Sequence, residues 1–294
     1  MVITAETLTA VIVHRRQPEA CVRTGRLLLE EGVDRLIVVD NGSGPEALAA
    51  VVAGLPAAEV IDLGANAGFG PGANAGVRRW LDEGPSAGEW VLVCPHDATP
   101  EPGCVATLVK AAEARPRAGL ACAEYGDHHE PKARPVVDPY LGGILVATDR
   151  RPGWEDAGHP HGTMLLARRA CLEEVGLFDE RYFAYCEEAD LGMRAREAGW
   201  EVGIVWGAIV RNPTMSSETG VPEYLMLRNT LLLLREHFGV RHAAFLYLIA
   251  VLFTVRGVLG GRKTLYWDLR GRLFALRDAP LGRVGPPPAA LLRS

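Results

Sequence analysis

The stretch NAGFGPGANAGV, Asn66–Val77, holds four glycines, two asparagines and one proline. Such a run lets backbone N–H groups approach a phosphate, whether of a dinucleotide, a triphosphate or a nucleotide sugar. Its place along the chain narrows the choice. A dinucleotide fold sets its glycines after the first strand and an acid about 20 residues later. Here the order is reversed, because Asp40 closes the second predicted strand and the glycines follow the third. No Gly-Lys-Ser/Thr follows, so a Walker-type phosphate loop is absent. Taken alone, the run is also compatible with a tight strand-to-helix turn.

Outward from this loop, buried-strand patterns alternate with helices. LTAVIVH (Leu8–His14), RLIVVD (Arg35–Asp40), AEVIDLG, EWVLVCPHD (Glu89–Asp97) and GLACAEY read as strands. Cys21–Glu31, PEALAAVVAGL, the segment after the glycine loop and Pro102–Arg115 read as helices. The alternation predicts an α/β fold with a mostly parallel sheet covered by helices on both faces. Beyond Glu124 two Gly/Pro/charge-rich stretches read as loops around one short strand, ILVAT, and YCEEADLGMRAREAGW reads as a helix. Two more helices are expected over Glu223–Phe238 and Arg241–Leu259, and GPPPAALLRS is expected to fray.

The 294 residues, 48% hydrophobic and 23% charged, fit one large α/β domain with an appendage, divided at 1–220 and 221–294. The net charge of −5 argues against bulk nucleic-acid binding. From Glu223 onward eleven basic residues face four acidic ones, a net +7 that leaves −12 for the rest. A basic helical extension on an acidic body points to a surface partner such as an anionic membrane. The run AAFLYLIAVLFTV (Ala243–Val255) counts 13 apolar residues, short of the ~20 of a spanning helix, so a buried or interfacial helix is expected, with a homodimer interface as the competing reading. Six scattered cysteines without a C-x-x-C pair, and no N-terminal signal peptide, predict structural thiols in a reducing cytoplasmic setting.

Four stretches carry chemistry. An acid at a strand end, as in VVDNGSG (Val38–Gly44), can accept from a base N–H or a ribose hydroxyl, or cap a turn. In CPHDATPEPG, His96 and Asp97 can hold a divalent cation against a diphosphate, or Asp97 can simply cap the next helix. In the YCEEADLGMRAREAGW helix, Glu187 and Asp190 share a face, Asp190 and Arg194 form an i,i+4 pair, and an acidic first turn complements the helix dipole. His128, His129, Glu130, His159 and His161 have no defensible metal spacing and read as loop residues near an acceptor pocket.

The order VVDNGS, NAGFGPGANAG, PHD and GTMLLARRACLEEVGLFDERYFAYCEEADLGMRAREAG resembles family-2 glycosyltransferases of the GT-A fold. Within them it is most similar to the bacterial rhamnosyltransferase and galactofuranosyltransferase branch, over residues from about 8 to 218 and more loosely through EYLMLRN. The resemblance implies an inverting transfer of a sugar, most plausibly rhamnose from dTDP-rhamnose, to a glycan or lipid-linked acceptor at the inner face of the membrane. It implies that Asp40 contacts the base or ribose and that Asn66, Gly68, Gly70 and Asn74 line the nucleotide pocket. Asp97, with His96 beside it, would hold Mn²⁺ or Mg²⁺. HGTMLLARR would border the acceptor. Glu187–Glu188 would supply the general base, Glu188 first. This chain departs from the family's pattern in having one acid in the metal motif, two glutamates in the acidic pair, and Arg211 where a metal-ligating histidine is expected. Arg211 would then supply fixed positive charge to the diphosphate. Two other classes stay open: a non-catalytic nucleotide-sugar-binding protein, and a dinucleotide-dependent enzyme on a doubly wound sheet.

Overall fold

The computed structural model describes residues 7–125, 133–148, 151–212, 220–261 and 267–292. His128, His129 and Glu130 lie outside the described residues, as do residues 262–266 of the basic tail. The first half runs β1 (Thr9–His14), α1 (Pro18–Glu30), β2 (Arg35–Asp40), α2 (Pro45–Gly54), β3 (Glu59–Asp62), α3 (Phe69–Asp82), β4 (Trp90–Pro95), β5 (Thr99–Pro100), α4 (Cys104–Glu113) and β6 (Ala118–Tyr125). The second half runs β7 (Ala133–Asp138), β8 (Gly142–Ala147), β9 (Gly153–Asp156), β10 (Leu165–Arg168), α5 (Arg169–Val175), α6 (Glu187–Glu197) and β11 (Glu201–Arg211). Three helices follow: α7 (Val221–Phe238), α8 (Val240–Val258) and α9 (Leu269–Asp278).

Nine strands form one sheet in the order β3-β2-β1-β4-β10-β6-β11-β5, with β9 also paired to β11. The β3-β2-β1-β4 half is parallel, β10 inserts antiparallel between β4 and β6, and β6 and β11 are again parallel. Strands β1, β2, β4 and β6 are buried on both faces, which explains their near-continuous apolar runs. One core lies under α1, α2 and α4 around Leu28, Val51 and Leu108. The other lies under α3, α5 and α6 around Trp80, Cys171 and Leu191. All six cysteines are unbridged and five are buried; burial pushes the Cys21, Cys104, Cys122 and Cys171 thiols up to about 12. They are inert structural thiols.

The region after β6 holds more strand than its composition suggested. β7 and β8 pair as an antiparallel hairpin, and β9 joins the main sheet. The C-terminus also corrects expectation. Residues 289–291 form a 3₁₀ turn, and Leu291 is buried among Phe183, Tyr224, Leu225 and Ala275 rather than frayed. Helix α8 is 19 residues long, six more than the apolar run alone, and meets the length and composition of a membrane-crossing helix.

Helices α7, α8 and α9 are tied by a buried ion pair. The Arg272 guanidinium of α9 bonds the Glu223 carboxylate of α7, donates to Thr254 Oγ1 of α8 at 3.0 Å and to the Ala250 carbonyl at 3.3 Å. Truncating one partner of such a pair leaves a buried charge unpaired. Arg272→Ala should therefore lose about 3–5 kcal/mol of stability, read from the urea unfolding midpoint.

Candidate functional site

A cleft of about 970 Å³ opens at the C-terminal ends of β1 and β4. Its walls come from the segment after β1 (Arg15, Arg16), from Asn41, Asn66 and Gly68, from His96, and from Phe183 and Tyr185 before α6. Val221, Pro222 and Leu225 of α7 and Pro286, Pro287 and Leu292 of the C-terminal segment close the remaining side. Residues from both sides of position 220 thus line one cleft.

The glycine loop has a different job from the one its composition suggested. A Cβ on Gly68 (φ 101°) would sit 2.2 Å from the Phe183 carbonyl oxygen, and one on Gly76 would sit 2.4 Å from Val11 Cγ1. Gly76 thus lets α3 press onto the sheet, and Gly68 lets the loop touch the segment before α6. Asn66 accepts from the Gly68 N–H at 3.1 Å, which fixes the turn. Asn66 and Gly68 do line the cleft. Gly70 and Asn74 do not: both are buried, and Gly70 faces Phe178 and Glu187. Asn74 donates from Nδ2 to the Phe178 carbonyl at 2.9 Å and to Glu180 Oε1 at 3.0 Å, and accepts from the Phe178 N–H at 3.0 Å. It is a clamp between α3 and a segment a hundred residues away.

Asp40 also lies beneath the cleft rather than on it, 1% exposed. It bonds His14 Nδ1 at 2.7 Å and accepts from the Ser43 N–H at 2.9 Å. Its neighbour Asn41 is the residue that reaches the cleft, and it stitches the glycine loop by donating to the Gly68 carbonyl at 2.9 Å and accepting from the Ala67 N–H at 2.8 Å. The motif VVDNGSG contained this signal, since an Asn after a strand-end Asp is well placed to bind a neighbouring loop.

At the end of β4, burial lowers the His96 pKa, so its ring is neutral at pH 7. Nδ1 lies 3.3 Å from the Val13 carbonyl, which assigns the proton to Nδ1 and leaves Nε2 as an acceptor with no partner among the described residues. Asp97 is 6% exposed and accepts from Asn212 Nδ2 at 3.3 Å. Among the described residues no three His, Cys, Asp or Glu side chains gather as a metal cage. Arg211 at the end of β11 bonds Glu101, with Nε 2.6 Å from Oε1. Its charge is offset by that carboxylate. His159 Nδ1 and His161 Nε2 each bond a backbone carbonyl, of Pro160 and of Ala123, His161 Nδ1 has no partner among the described residues, and burial pushes His161 down to about 4.

The acidic pair opens α6. The residues leading into it are strained: Phe183, Tyr185 and Cys186 adopt φ of 69°, 68° and 72°, a region disfavoured for side chains of this size. Arg16, on the opposite wall of the cleft, shares the feature at φ 59°. Such strain persists only where the surroundings over-determine it, and it clusters at functional sites. Here α7 supplies the restraint. Asn229 Nδ2 lies 2.9, 2.7 and 2.7 Å from the carbonyl oxygens of Tyr182, Ala184 and Tyr185, and Arg228 adds a bond to Tyr182 at 3.0 Å. These are the last two residues of EYLMLRN.

Glu187 is buried, and its Oε2 has no partner among the described residues. Glu188 is half-buried. Burial, joined at Glu187 by the charge of Glu188, pushes both carboxyls above their ordinary value, Glu187 further. Desolvation thus outweighs the favourable end of the helix dipole. The third acid behaves as expected from spacing: Asp190 pairs with Arg194 at 2.8 Å and also bonds His237 of α7 at 2.9 Å.

Two outcomes check this geometry. Asn74→Ala should lower stability by about 1–3 kcal/mol while leaving ligand affinity of the folded fraction nearly unchanged, because its hydrogen bonds are internal. The raised Glu187 carboxyl contributes stability fully below its ordinary value of 4.5 and gives it up as pH rises through its folded value. Wild-type stability should therefore fall with rising pH above about 4.5 in that window, and Glu187→Gln should flatten the slope in unfolding titrations.

With the geometry established, comparison with known proteins is informative. The relative "N-acetylglucosaminyl-diphospho-decaprenol L-rhamnosyltransferase" of Mycobacterium tuberculosis is 31% identical over 194 residues, covering 56% of this chain and 62% of that protein. The chain thus spans less than two thirds of that relative's length. GalNAc-T7, solved with UDP, GalNAc and Mn²⁺, superposes with a TM-score of 0.65 at 14% identity, over 93% of this chain and 54% of its own. The mannosyltransferase PcManGT from Pyrobaculum calidifontis, solved with GDP-Man and Mn²⁺, gives 0.59 at 13% identity, over 96% and 88%. These likenesses identify the fold as GT-A. The family model "Glycosyl transferase family 2" matches residues 11–176, more than half of the chain, and the chain belongs to that family.

Proposed function

We propose that this protein is an inverting glycosyltransferase that moves a sugar from a nucleoside-diphosphate donor to a hydroxyl of a cell-envelope glycan or lipid-linked acceptor. Rhamnose from dTDP-rhamnose is the favoured donor, on the strength of the mycobacterial relative's name. The observation that carries the reading is the pair of carboxyls at the start of α6, with raised pKa values, beside a cleft large enough for a nucleotide sugar. Neither a binding-only protein nor a dinucleotide enzyme explains why strained backbone is held in place to present one buried and one half-buried glutamate.

In this reading the nucleoside lies against Asn41, Asn66 and Gly68, with Asp40 holding the floor through His14. Glu188, the more accessible of the pair, is the general base. It takes the proton of the acceptor hydroxyl as that oxygen attacks the anomeric carbon. The nucleoside diphosphate departs from the opposite face, so the configuration inverts. Burial raises the base's affinity for that proton, and the charge of Glu188 in turn raises the Glu187 carboxyl. The residues present fit a cation completed by the donor's own phosphates: Nε2 of neutral His96 is unpartnered and Asp97 is adjacent. A bound Mn²⁺ or Mg²⁺ would neutralise charge on the leaving diphosphate. The apolar, basic C-terminal helices favour work at a membrane surface, where a lipid-linked acceptor resides.

A screen of nucleotide sugars by hydrolysis and thermal shift, each with Mn²⁺ and with EDTA, tests donor and cation together. Glu188→Gln should reduce turnover by about 10²–10⁴-fold with donor affinity retained. Normal turnover in both Glu188→Gln and Glu187→Gln would refute the assignment. The acid limb of kcat/KM should lie above the ordinary carboxylate value, because the base must lose a proton that burial holds.

A further inference from the structure

Helix α8 carries two opposed apolar stripes. Leu246, Ala250, Thr254 and Gly257 face inward. Phe245, Leu248, Leu252, Val255 and Leu259 face solvent, at 46%, 62%, 66%, 53% and 81% exposure. That outer stripe is far larger than the scattered exposed leucines of an ordinary surface, and such a patch marks an interaction site. Leu273 of α9, 54% exposed, extends the apolar surface.

Charge selects the partner. Arg241, Arg256 and Arg270 are exposed on α8 and α9, while Arg277 pairs with Asp278. Helix α8 contains no acidic residue. The acids of α7 and α9 are turned to other work: Glu223 and Asp278 are buried in ion pairs, Asp268 caps α9, and Glu236 bonds Arg181. A second copy of the chain would set arginine against arginine across this face. An anionic bilayer complements it, with the apolar stripe among acyl chains and the guanidinium groups at the phosphates.

We infer that α8 docks in the plane of an anionic phospholipid bilayer, as the membrane contact of the whole protein, and does not cross it. Its length and mean hydropathy of 1.4 would permit crossing. Its inner stripe forbids it, because Arg272 reaches beneath α8 to Thr254 Oγ1 and the Ala250 carbonyl while paired to Glu223. Pulling α8 into a bilayer would break both of those bonds, uncover the buried ion pair and strip α7, which clamps the segment before α6. A groove of about 650 Å³ between α7, α8 and the C-terminal segment shares Leu248 with the docking face; exposed Arg235 lines it, while Arg181 and Arg283 there are paired with Glu236 and Asp278. The inference rests on the proposed lipid-linked acceptor for its purpose, and on α8 and α9 alone for its geometry.

Flotation of the purified full chain with phosphatidylglycerol-containing and with pure phosphatidylcholine vesicles tests it. Binding should require phosphatidylglycerol. It should weaken about fivefold for each of Arg241→Gln and Arg256→Gln, and about tenfold or more for Leu248→Glu or Leu252→Glu. High salt or alkaline carbonate should release the protein. Sugar-nucleotide hydrolysis by these variants should match wild type, so lost binding with retained hydrolysis separates this inference from the proposed activity. Retention after carbonate would show a spanning helix and overturn the inference. Failure of the wild type to bind anionic vesicles would overturn it too. So would a dimer by light scattering that Leu252→Glu converts to monomer.

Discussion

The structure turns on one strained connection. Phe183, Tyr185 and Cys186 hold left-handed backbone immediately before α6, and so fix where its first turn presents Glu187 and Glu188. Left alone, these residues would relax to ordinary conformations. They are held from two sides. Gly68 presses against the Phe183 carbonyl, where any side chain would clash, and Asn229 gathers three carbonyls of the segment with one amide. The glycine loop, the acidic pair and α7 are therefore one mechanical unit, although the glycine loop lies more than a hundred residues before the other two.

The same unit links the cleft to the C-terminal helices. Helix α7 walls the cleft at its start, clamps the strained segment through Arg228 and Asn229, and binds Asp190 of α6 through His237. The Asp190 carboxylate raises the His237 pKa. Helices α8 and α9 lock onto α7 through Arg272. Whatever surface α8 rests on is thus rigidly related to the cleft.

Much of this was legible in the sequence. Strands buried on both faces announce themselves as continuous apolar runs, so β1, β2, β4 and β6 fell where their patterns placed them. Helices α7 and α8 begin and end within two residues of their apolar periodicity, and the Asp190–Arg194 pair followed from spacing alone. Other features depended on partners that no local pattern reveals. Asn74 sits in a glycine loop and looks like a ligand-binding residue until Phe178 is folded against it. Asp40 ends a strand like a nucleotide contact but is covered by His14. Arg211 looked like a spare cation because Glu101, 110 residues earlier, is brought beside it only by the β5–β11 pairing. Of the half-exposed hairpin only β8 announced itself, as ILVAT, and the C-terminal segment looked loose because its anchors lie far away: Gly285 bonds Arg181 and Arg228, and Leu291 is buried against α7 and α9.

The most direct measurement is the anomeric configuration of the transferred sugar, read by NMR on the product of a single turnover with dTDP-rhamnose and a lipid-linked acceptor. One general base acting in a single displacement predicts a configuration opposite to that of the donor. Retention of the donor's configuration would contradict the role given to Glu188 and the arrangement that holds it.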